Sequence, residues 1–577
     1  MAGYDSKPLP LAYGKPLDKP TGGMFEERGT MARNKHPEET VNFILDVAFR
    51  LFMEKGYEYT SIQDIIDQLG GLSKGAIYHH FKSKEDILVL QLVFWPNHQK
   101  FGIIMGNFYY IPKKRWLMIQ ICRNDREKVY EAIRTGKIDA AGMSFPNLID
   151  DIILTMNRRG LTDLLTYALT DKRRDNSHIP FDILLCLAVT AKLKCKTSLT
   201  DVPFAVTEAE LLAELGWNIW DNERDVNEGL FSESVMRKLL AKYKSEEWVC
   251  FYNDYVQKYL MKELDIQPCI HILDCTKVLV NLDNENYENS SVVKIDGETM
   301  RGYKLGVLRG VLDDSGIVEE VVFGTLKTHD MEQCREMLKN TSCFHENDIL
   351  INDRGFLSRE MTNYLKTVRK VDTYIPAKEN MIIYQDAVKL ATTSGKWQKH
   401  PNLKRKEQEI QLVTELGPLW ESDEPEKDVP INACVVHDKK TDNYFVFMTT
   451  DTSRTARQII NTYELRPEIE EDFRQMKDFW KLEDFKSTKY NYITYHIIMT
   501  LVGYLYFQIY KNLDEGKKYS GKSLPIVVKN YKETRPKTVI IYVGQYFGIF
   551  PFLEFLQFYA ECTLEVRRLL DPILAKV

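Results

Sequence analysis

Two aspartates follow short apolar runs in the second half of the chain, at points where a buried strand would end. Asp274 comes directly after residues 270–273, and Asp353 comes directly after residues 349–352. If these strands are neighbours in one sheet, their ends bring the two carboxylates close together. Carboxylates at such short range repel each other, so a pair of this kind normally recruits a divalent cation. A site made only of oxygen ligands that also binds phosphate favours Mg²⁺.

A third acidic residue is expected on a later helix, and Glu470 has suitable neighbours. Tyr463, Arg466, Glu470 and Lys477 follow the spacing Y-x2-R-x3-E-x6-K. Residues seven apart share one face of a helix. The Glu470 carboxylate can therefore bind a metal while the nearby cationic side chains hold phosphates.

The helix that carries Glu470 is predicted to begin near Pro467. Proline inside a helix costs about 3 kcal/mol, but it is tolerated in the first turn. This start keeps Glu470 and Lys477 in place and leaves the direction of Arg466 open. Only the spacing favours Glu470 over the other carboxylates of this segment, which are Glu468, Glu471 and Asp472.

The elements that must position these residues follow the order strand, strand, strand, helix, strand. The second and third strands flank Asp313-Asp314-Ser315-Gly316, a sequence typical of a hairpin turn. The predicted strands are 270–273, 303–312, 317–326 and 349–352, with a helix at 330–338 before the last of them. Upstream, apolar spacing predicts helices across 145–262.

From about residue 145 to 577, and most clearly over 180–510, the chain resembles DDE transposases of the insertion-sequence-4 group, whose signature is the spacing around Glu470. The resemblance implies a ribonuclease-H-like fold with a β-rich insertion between Asp353 and Glu470. It also implies that Asp274, Asp353 and Glu470 are catalytic and bind Mg²⁺ or Mn²⁺, with two ions. One departure is Pro467, where the group more often has an aromatic residue.

The same resemblance implies the reaction and the partners of this part of the chain. The reaction is cut-and-paste transposition, in which transposon ends of double-stranded DNA are cleaved and joined to a target. Cleavage is expected within a synaptic homodimer. The residues expected to bind DNA phosphates in the core are Tyr463, Arg466, Lys477 and Arg354.

The N-terminal part contains two short helices joined by a glycine turn. Thr60 or Ser61 is a suitable N-cap for a helix that ends at Gln68, and Ser73 caps a second helix through His79. Gly70 and Gly71 supply the turn between them. This is the helix-turn-helix arrangement, whose second helix enters the major groove of DNA.

Residues 31–90 resemble the DNA-binding domain of TetR-family repressors, especially over 73–81. That resemblance implies DNA contacts, mainly to phosphates, by Thr60, Ser61, Ser73, Lys74, Tyr78, His79 and Lys84. A helical bundle without DNA binding is the alternative, because the segment has more acidic than basic residues. Repressors of this family continue with a long helical ligand-binding domain, whereas the chain after Leu90 loses helical periodicity.

Two functions therefore compete at this level. One is a transposase fused to a truncated TetR-like domain, which we explain by insertion of a transposase gene into a repressor gene. The other is a TetR-family transcriptional regulator that binds DNA through residues 31–90 and has no catalytic activity. The second lacks a recognisable ligand pocket.

Composition restricts the remaining possibilities. The net charge is −6, so DNA contacts must come from local patches. The ten cysteines include no C-x-x-C pair and no zinc-ligand spacing, which is typical of reduced thiols in the cytoplasm. The family resemblances imply a bacterial protein associated with the nucleoid. Residues 490–510 lack charged side chains but contain several polar ones, which favours a buried helix over a membrane span.

The predicted fold class is multi-domain: an all-α helix-turn-helix unit, a helical linker domain, and an α/β ribonuclease-H-like core with a β-rich insertion. The predicted segments are a disordered leader (1–30), the TetR-like domain (31–90), a junction (91–144), a helical domain (145–262), the first part of the core (263–375), the insertion (376–450), the catalytic helix with the rest of the core (451–515) and a C-terminal region (516–577).

Overall fold

A computed structural model describes scattered positions between residues 44 and 87, including all of 60–69, and most of residues 123–574. The gaps in the second range are 146, 175–176, 178, 207–208, 216–229, 296, 313–314, 418, 420–427 and 532–536. The chain divides into two compact units, residues 1–111 and residues 112–577. Each unit is described by itself.

The first unit contains helix α1, Ile62–Gln68, with Ser61 as its N-cap. The Ser61 hydroxyl accepts a hydrogen bond from the Asp64 amide at 3.1 Å, and the Asp64 carboxylate accepts one from the Ser61 amide at 2.7 Å. This reciprocal capping box satisfies two amides that have no partner within the helix. The predicted helix and its end at Gln68 are thereby confirmed. The glycine turn and most of the second predicted helix lie outside the described residues.

The second unit is built on two β-sheets. Its strands are β1 (Arg123–Asn124), β2 (Ala140–Ser144), β3 (Ile270–Val280), β4 (Ser291–Ile295), β5 (Glu298–Leu312), β6 (Ser315–Thr325), β7 (Ile349–Asn352), β8 (Asp372–Pro376), β9 (Gln398–Lys399), β10 (Gln408–Leu416), β11 (Ile431–Asp438), β12 (Asn443–Thr449), β13 (Thr538–Val543) and β14 (Tyr546–Pro551).

The helices of this unit are α2 (Arg126–Arg134), α3 (Leu148–Arg158), α4 (Leu164–Ala168), α5 (Phe181–Leu193), α6 (Ala209–Glu214), α7 (Ser234–Leu240), α8 (Ser245–Asp254), α9 (Met261–Glu263), α10 (Asp330–Asn340), α11 (Arg359–Tyr364), α12 (Ile382–Ser394), α13 (Ala456–Tyr463), α14 (Pro467–Asp478), α15 (Tyr490–Asn512), α16 (Leu524–Asn530), α17 (Phe552–Glu561) and α18 (Leu564–Leu574). Short 3₁₀ or π turns are Leu199–Phe204, Tyr255–Leu260, Arg354–Phe356, Leu365–Arg369 and Lys517–Tyr519.

The larger sheet has the strand order β4-β5-β3-β7-β8-β12-β11-β10-β9, with β6 paired to β5. Strand β3 lies between β5, which is antiparallel to it, and β7, which is parallel. The first and fourth strands of the predicted order are therefore neighbours. Strand β12 pairs with β8, so the strands of the insertion continue the core sheet.

Two details differ from the sequence-based expectations. Strand β3 does not end at Leu273 but continues to Val280, because residues 271–280 pair with β5 along their whole length. Asp274 therefore lies within the strand and not at its end. Residues 123–144, expected as part of a junction, contain β1, α2 and β2, and the two strands pair with β14 and β13 in the smaller sheet.

Helix α15 is buried along most of its length and packs against α5, α8 and β6. This confirms the expectation of a core helix at residues 490–510. Within the described part of the chain, no helix has the length and apolar character needed to cross a membrane. Most side chains buried along α15 are apolar, so its few buried polar groups must find hydrogen-bond partners among themselves or in the backbone.

One such group is Lys192 of α5, which faces His496 of α15. The Lys192 ammonium lies 2.9 Å from His496 Nδ1, while His496 Nε2 lies 2.9 Å from the Lys481 carbonyl oxygen. Burial lowers the pKa of Lys192 to about 7, although Asp201 and Asp484 oppose the shift. Burial and the nearby Lys192 lower the pKa of His496. Above about pH 7, therefore, a neutral lysine donates to a neutral imidazole in the folded protein.

This pair predicts how stability depends on pH. Between pH 7 and the ordinary lysine pKa of 10.5, the unfolded chain binds a proton that the folded protein does not, so stability rises with pH by about 1.4 kcal/mol per unit from this group. In Lys192→Met this contribution is absent. We expect the difference in unfolding free energy between wild type and Lys192→Met to shift by about 2.5 kcal/mol in favour of wild type from pH 7.5 to 9.5.

Urea unfolding followed by tryptophan fluorescence measures this difference. The control is Lys196→Met, which removes an exposed lysine four residues away and should leave the difference independent of pH. A pH-independent difference for Lys192→Met would show that Lys192 titrates normally in the folded protein.

Candidate active site

Asp274 is held within β3, on the sheet face covered by α14. Its Oδ1 accepts a hydrogen bond from the Cys275 amide at 2.8 Å, and its Oδ2 accepts one from the Arg466 guanidinium at 2.9 Å. Burial raises the pKa of Asp274 to about 6, and the charge of Arg466 limits that rise. A carboxylate this deep needs a cation beside it to remain ionised.

Asp353 follows β7 directly and caps the turn Arg354–Phe356. Its Oδ1 accepts a hydrogen bond from the Gly355 amide at 3.1 Å, and its Oδ2 lies 3.5 Å from Arg466 Nη2. Leu273 and Asn352 are paired residues of the parallel strands β3 and β7, so Asp274 and Asp353 occupy equivalent positions one residue further along. The sheet register is therefore what brings the two aspartates together.

Glu470 completes the cluster from the first turn of α14. Pro467 is the first residue of this helix, as predicted, and Arg466 is its N-cap residue. One turn apart, Arg466 Nη1 and the Glu470 carboxylate form an ion pair. A single guanidinium thus bonds to Asp274, Asp353 and Glu470, which come from three separate elements.

The other carboxylates of α14 have different partners, which answers the question that spacing alone left open. Asp472 Oδ2 lies 2.6 Å from Nε of Arg309, and Glu468 Oε2 lies 2.9 Å from its Nη1. Glu471 pairs with Arg474 on the exposed side of the helix at 2.6 Å. Glu470 is the acid of this helix that points toward the two aspartates.

Arg309 of β5 is a residue that the sequence analysis missed. It is 4% exposed, and its ion pair with Asp472 joins the sheet to the buried face of α14. The Tyr504 hydroxyl donates to the other Asp472 oxygen at 2.6 Å. Gly316 of β6 makes room for this guanidinium, since a Cβ there would lie 2.1 Å from Arg309 Cζ. A glycine facing a buried arginine across a hairpin is a signal too weak to recognise without the register.

The remaining predicted core residues surround the acidic cluster in different ways. Tyr463 at the end of α13 packs against Phe447, and burial raises the pKa of its hydroxyl. Lys477 donates to the Lys277 carbonyl oxygen at 2.6 Å and lies 3.2 Å from Glu483. Arg354 is exposed beside Asp353. Arg466, whose direction the sequence left open, faces the three acids.

The three carboxylates fit a divalent cation in chemistry and in charge. They supply only oxygen ligands, as Mg²⁺ and Mn²⁺ prefer, and they already gather around one cationic group. As the side chains stand, no cluster of three or more acidic, histidine or cysteine residues in the described ranges is arranged to hold a metal. In this arrangement Asp274 Oδ2 and Asp353 Oδ2 both face Nη2 of Arg466, and the Glu470 carboxylate faces Nη1.

Of the predicted helix-turn-helix contacts, three lie within the described residues. Ser61 caps α1 and is exposed. Thr60 is buried, and its hydroxyl donates to the Leu51 carbonyl oxygen at 3.2 Å, which is a packing role. Lys84 is partly exposed on a helical segment. Ser73, Lys74, Tyr78 and His79 lie outside the described residues.

Comparison with protein families gives two matches along the chain. Residues 292–506 match the transposase DDE domain, and residues 44–89 match the bacterial regulatory proteins of the tetR family. The first range contains Asp353 and Glu470, and Asp274 precedes it. The protein thus carries a DDE transposase domain.

Comparison with curated proteins returns transcriptional regulators that match short stretches of the chain. The HTH-type transcriptional regulator AcrR of Shigella flexneri is 48% identical over 59 residues, which are 10% of this chain and 27% of that protein. The uncharacterized HTH-type transcriptional regulator YerO of Bacillus subtilis is 50% identical over 46 residues, 8% of this chain and 16% of that protein. The HTH-type transcriptional repressor KstR2 of Rhodococcus jostii is 49% identical over 45 residues, 8% of this chain and 22% of that protein.

The chain spans about a quarter or less of the length of these relatives. The two family matches confirm the predicted combination of a TetR-type helix-turn-helix DNA-binding domain with a DDE transposase domain in one chain. The alternative of a regulator without a catalytic domain is not favoured, because the transposase match covers α14 and the strands of the larger sheet other than β3.

Proposed function

We propose that this protein catalyses metal-dependent DNA transposition of the cut-and-paste type, with Asp274, Asp353 and Glu470 as the catalytic residues. The observation that carries the proposal is that these three carboxylates converge on one cationic group, the guanidinium of Arg466. They come from β3, from the turn after β7 and from α14. Three acids gathered at one point by separate elements are costly for stability unless a cation is present. The proposal includes a ribonuclease-H-like core of the insertion-sequence-4 type.

In this reaction Asp274, Asp353 and Glu470 would hold divalent cations, by expectation two. A divalent cation at this place supplies Lewis acidity to the phosphodiester and balances the charge that develops on its oxygens. The protein's own contribution is to fix the three acids on rigid elements. Asp274 is fixed by the Cys275 amide, Asp353 by the Gly355 amide and Glu470 by the first turn of α14.

The DNA would lie over the exposed side of this cluster. Asp353 and Glu470 have side chains that are 38% and 53% exposed, whereas that of Asp274 is 12% exposed. Positive charge and hydrogen bonds to the phosphates would come from the predicted phosphate-binding residues of the core, which are Arg354, Lys477, Arg466 and Tyr463. Residues 31–90 would bind DNA as a separate unit, and the active assembly would be a homodimer on two transposon ends.

The test uses a supercoiled plasmid that carries the DNA flanking this gene on both sides, incubated with the purified full-length protein. With Mg²⁺ or Mn²⁺ we expect cuts at both flanks, release of the intervening fragment and its joining to a second plasmid. EDTA should abolish all three products, and a plasmid without the flanks should stay uncut at discrete positions. Absence of discrete cuts with either metal would refute the proposal.

A further inference from the structure

The Arg466 guanidinium occupies the point at which the three acids meet. Its side chain is 17% exposed, and it forms ion pairs with Asp274 at 2.9 Å, with Asp353 at 3.5 Å, and with Glu470. Its Nε is buried and has no hydrogen-bond partner within the described part of the chain. The guanidinium is thus held here by charge, through its two outer nitrogens, and not by a complete set of hydrogen bonds.

Arg466 and a divalent cation would use the same oxygens. Divalent ions of this class require carboxylate oxygens at about 2.0–2.6 Å from one centre. In the structure, Asp274 Oδ2, Asp353 Oδ2 and the Glu470 carboxylate are instead directed at two nitrogens of one planar group. A divalent cation that took these three oxygens would displace the guanidinium from them, so the two cations compete for the cluster.

DNA offers Arg466 another partner. Guanidinium groups form paired, charge-assisted hydrogen bonds with phosphate as readily as with carboxylate. Arg466 precedes the first turn of α14, where Pro467 fixes the backbone, so its side chain can swing by rotation about its own bonds without moving the helix. Arg354, next in sequence to Asp353, is also exposed, and a second guanidinium there could bind the same phosphate backbone.

We propose that Arg466 closes the acidic cluster in the free protein, and that binding of a DNA phosphate by Arg466 opens the cluster to the divalent cation. This inference rests on the proposed function, since it assumes that the same three acids hold the metal. Metal affinity and DNA affinity are then coupled, and by linkage each ligand raises the affinity for the other by the same factor. The protein then binds metal poorly until DNA is in place.

The test measures Mn²⁺ binding by the full-length protein, with free Mn²⁺ quantified by electron paramagnetic resonance and no cleavage recorded. Without DNA, we expect Arg466→Met to bind Mn²⁺ about tenfold more tightly than wild type or better, because three acids lose a competing charge. A short duplex from the gene's flanking DNA, with Mn²⁺ bound by that duplex alone subtracted, should tighten binding to wild type and have a much smaller effect on Arg466→Met.

Two further variants make the comparison specific. Arg474→Met removes a cation from the exposed side of the same helix, where Arg474 pairs with Glu471 and Asp478, and should bind Mn²⁺ like wild type. Arg466→Lys keeps one charge but cannot bridge three carboxylates, so its affinity should lie between those of wild type and Arg466→Met. It also serves if Arg466→Met does not fold.

The failure of this inference differs from the failure of the proposed function. If Asp353→Asn and Glu470→Gln lose Mn²⁺ binding but neither Arg466 variant gains it, the acids hold the metal and the competition by Arg466 is refuted. If Asp353→Asn and Glu470→Gln bind Mn²⁺ as wild type does, both proposals fall. Equal Mn²⁺ affinity of wild type with and without DNA would also overturn the coupling.

Discussion

Glu470→Gln is expected to reduce metal-dependent cleavage of end-bearing DNA by about 10³-fold or more, as does the loss of groups that stabilise charge in a transition state. The amide keeps the size and helix propensity of the side chain but removes the negative charge that faces Asp274 and Asp353. The ion pair with Arg466 is lost at the same time. Single-turnover cleavage of the flanking-DNA plasmid with Mg²⁺ measures the effect.

The matched control is Glu471→Gln, one residue further along α14. The Glu471 side chain is 48% exposed and pairs with Arg474, away from the cluster. We expect cleavage within about twofold of wild type, because an exposed ion pair contributes little. Similar cleavage rates for Glu470→Gln and wild type, or an equal loss for both variants, would contradict the assignment of Glu470.

Arg309→Met is expected to lower the free energy of unfolding by about 3–5 kcal/mol, the usual cost of removing one partner from a buried ion pair. Arg309 is 4% exposed, and its removal leaves the buried Asp472 carboxylate without a cation. Because Arg309 joins β5 to α14, we also expect slower cleavage from loss of the Glu470 position. Denaturant unfolding followed by tryptophan fluorescence gives the stability change.

A second variant separates the charge from the packing. In Arg309→Met/Asp472→Asn the buried charge is gone on both sides, and the amide can still accept the Tyr504 hydroxyl hydrogen. We expect this double variant to recover most of the stability that Arg309→Met loses, which is a strong non-additivity. Arg474→Met, which breaks an exposed pair, should cost less than about 1 kcal/mol. If Arg309→Met costs no more than that, the buried network does not hold α14.

Part of the site follows from local sequence rules. Proline is compatible with the first turn of a helix and not with its middle, so Pro467 fixed the start of α14 and hence the face that Glu470 and Lys477 share. The apolar run before Asp353 is short and ends in a turn, and β7 has the bounds that this run predicts. These features depend on residues within a few positions of each other.

Other features depend on partners far away in the chain. Strand β3 was expected to end at Leu273 because the apolar run ends there, but pairing with β5 extends it to Val280. The sequence left the direction of Arg466 open, and in the folded protein its guanidinium faces acids on β3 and α14. Neither outcome can be recognised until the strands are in register.

The sequence by itself determined the kind of protein. A DDE transposase was indicated by two aspartates after apolar runs and by the spacing of Tyr463, Arg466, Glu470 and Lys477. A TetR-type domain was indicated by residues 73–81. Both domains match the corresponding families. Only the tertiary structure decided which acid of α14 joins the aspartates, and that a single guanidinium holds all three. The reason is that Coulomb interactions act through space, so partners are set by how the sheet and helix pack and not by distance along the chain.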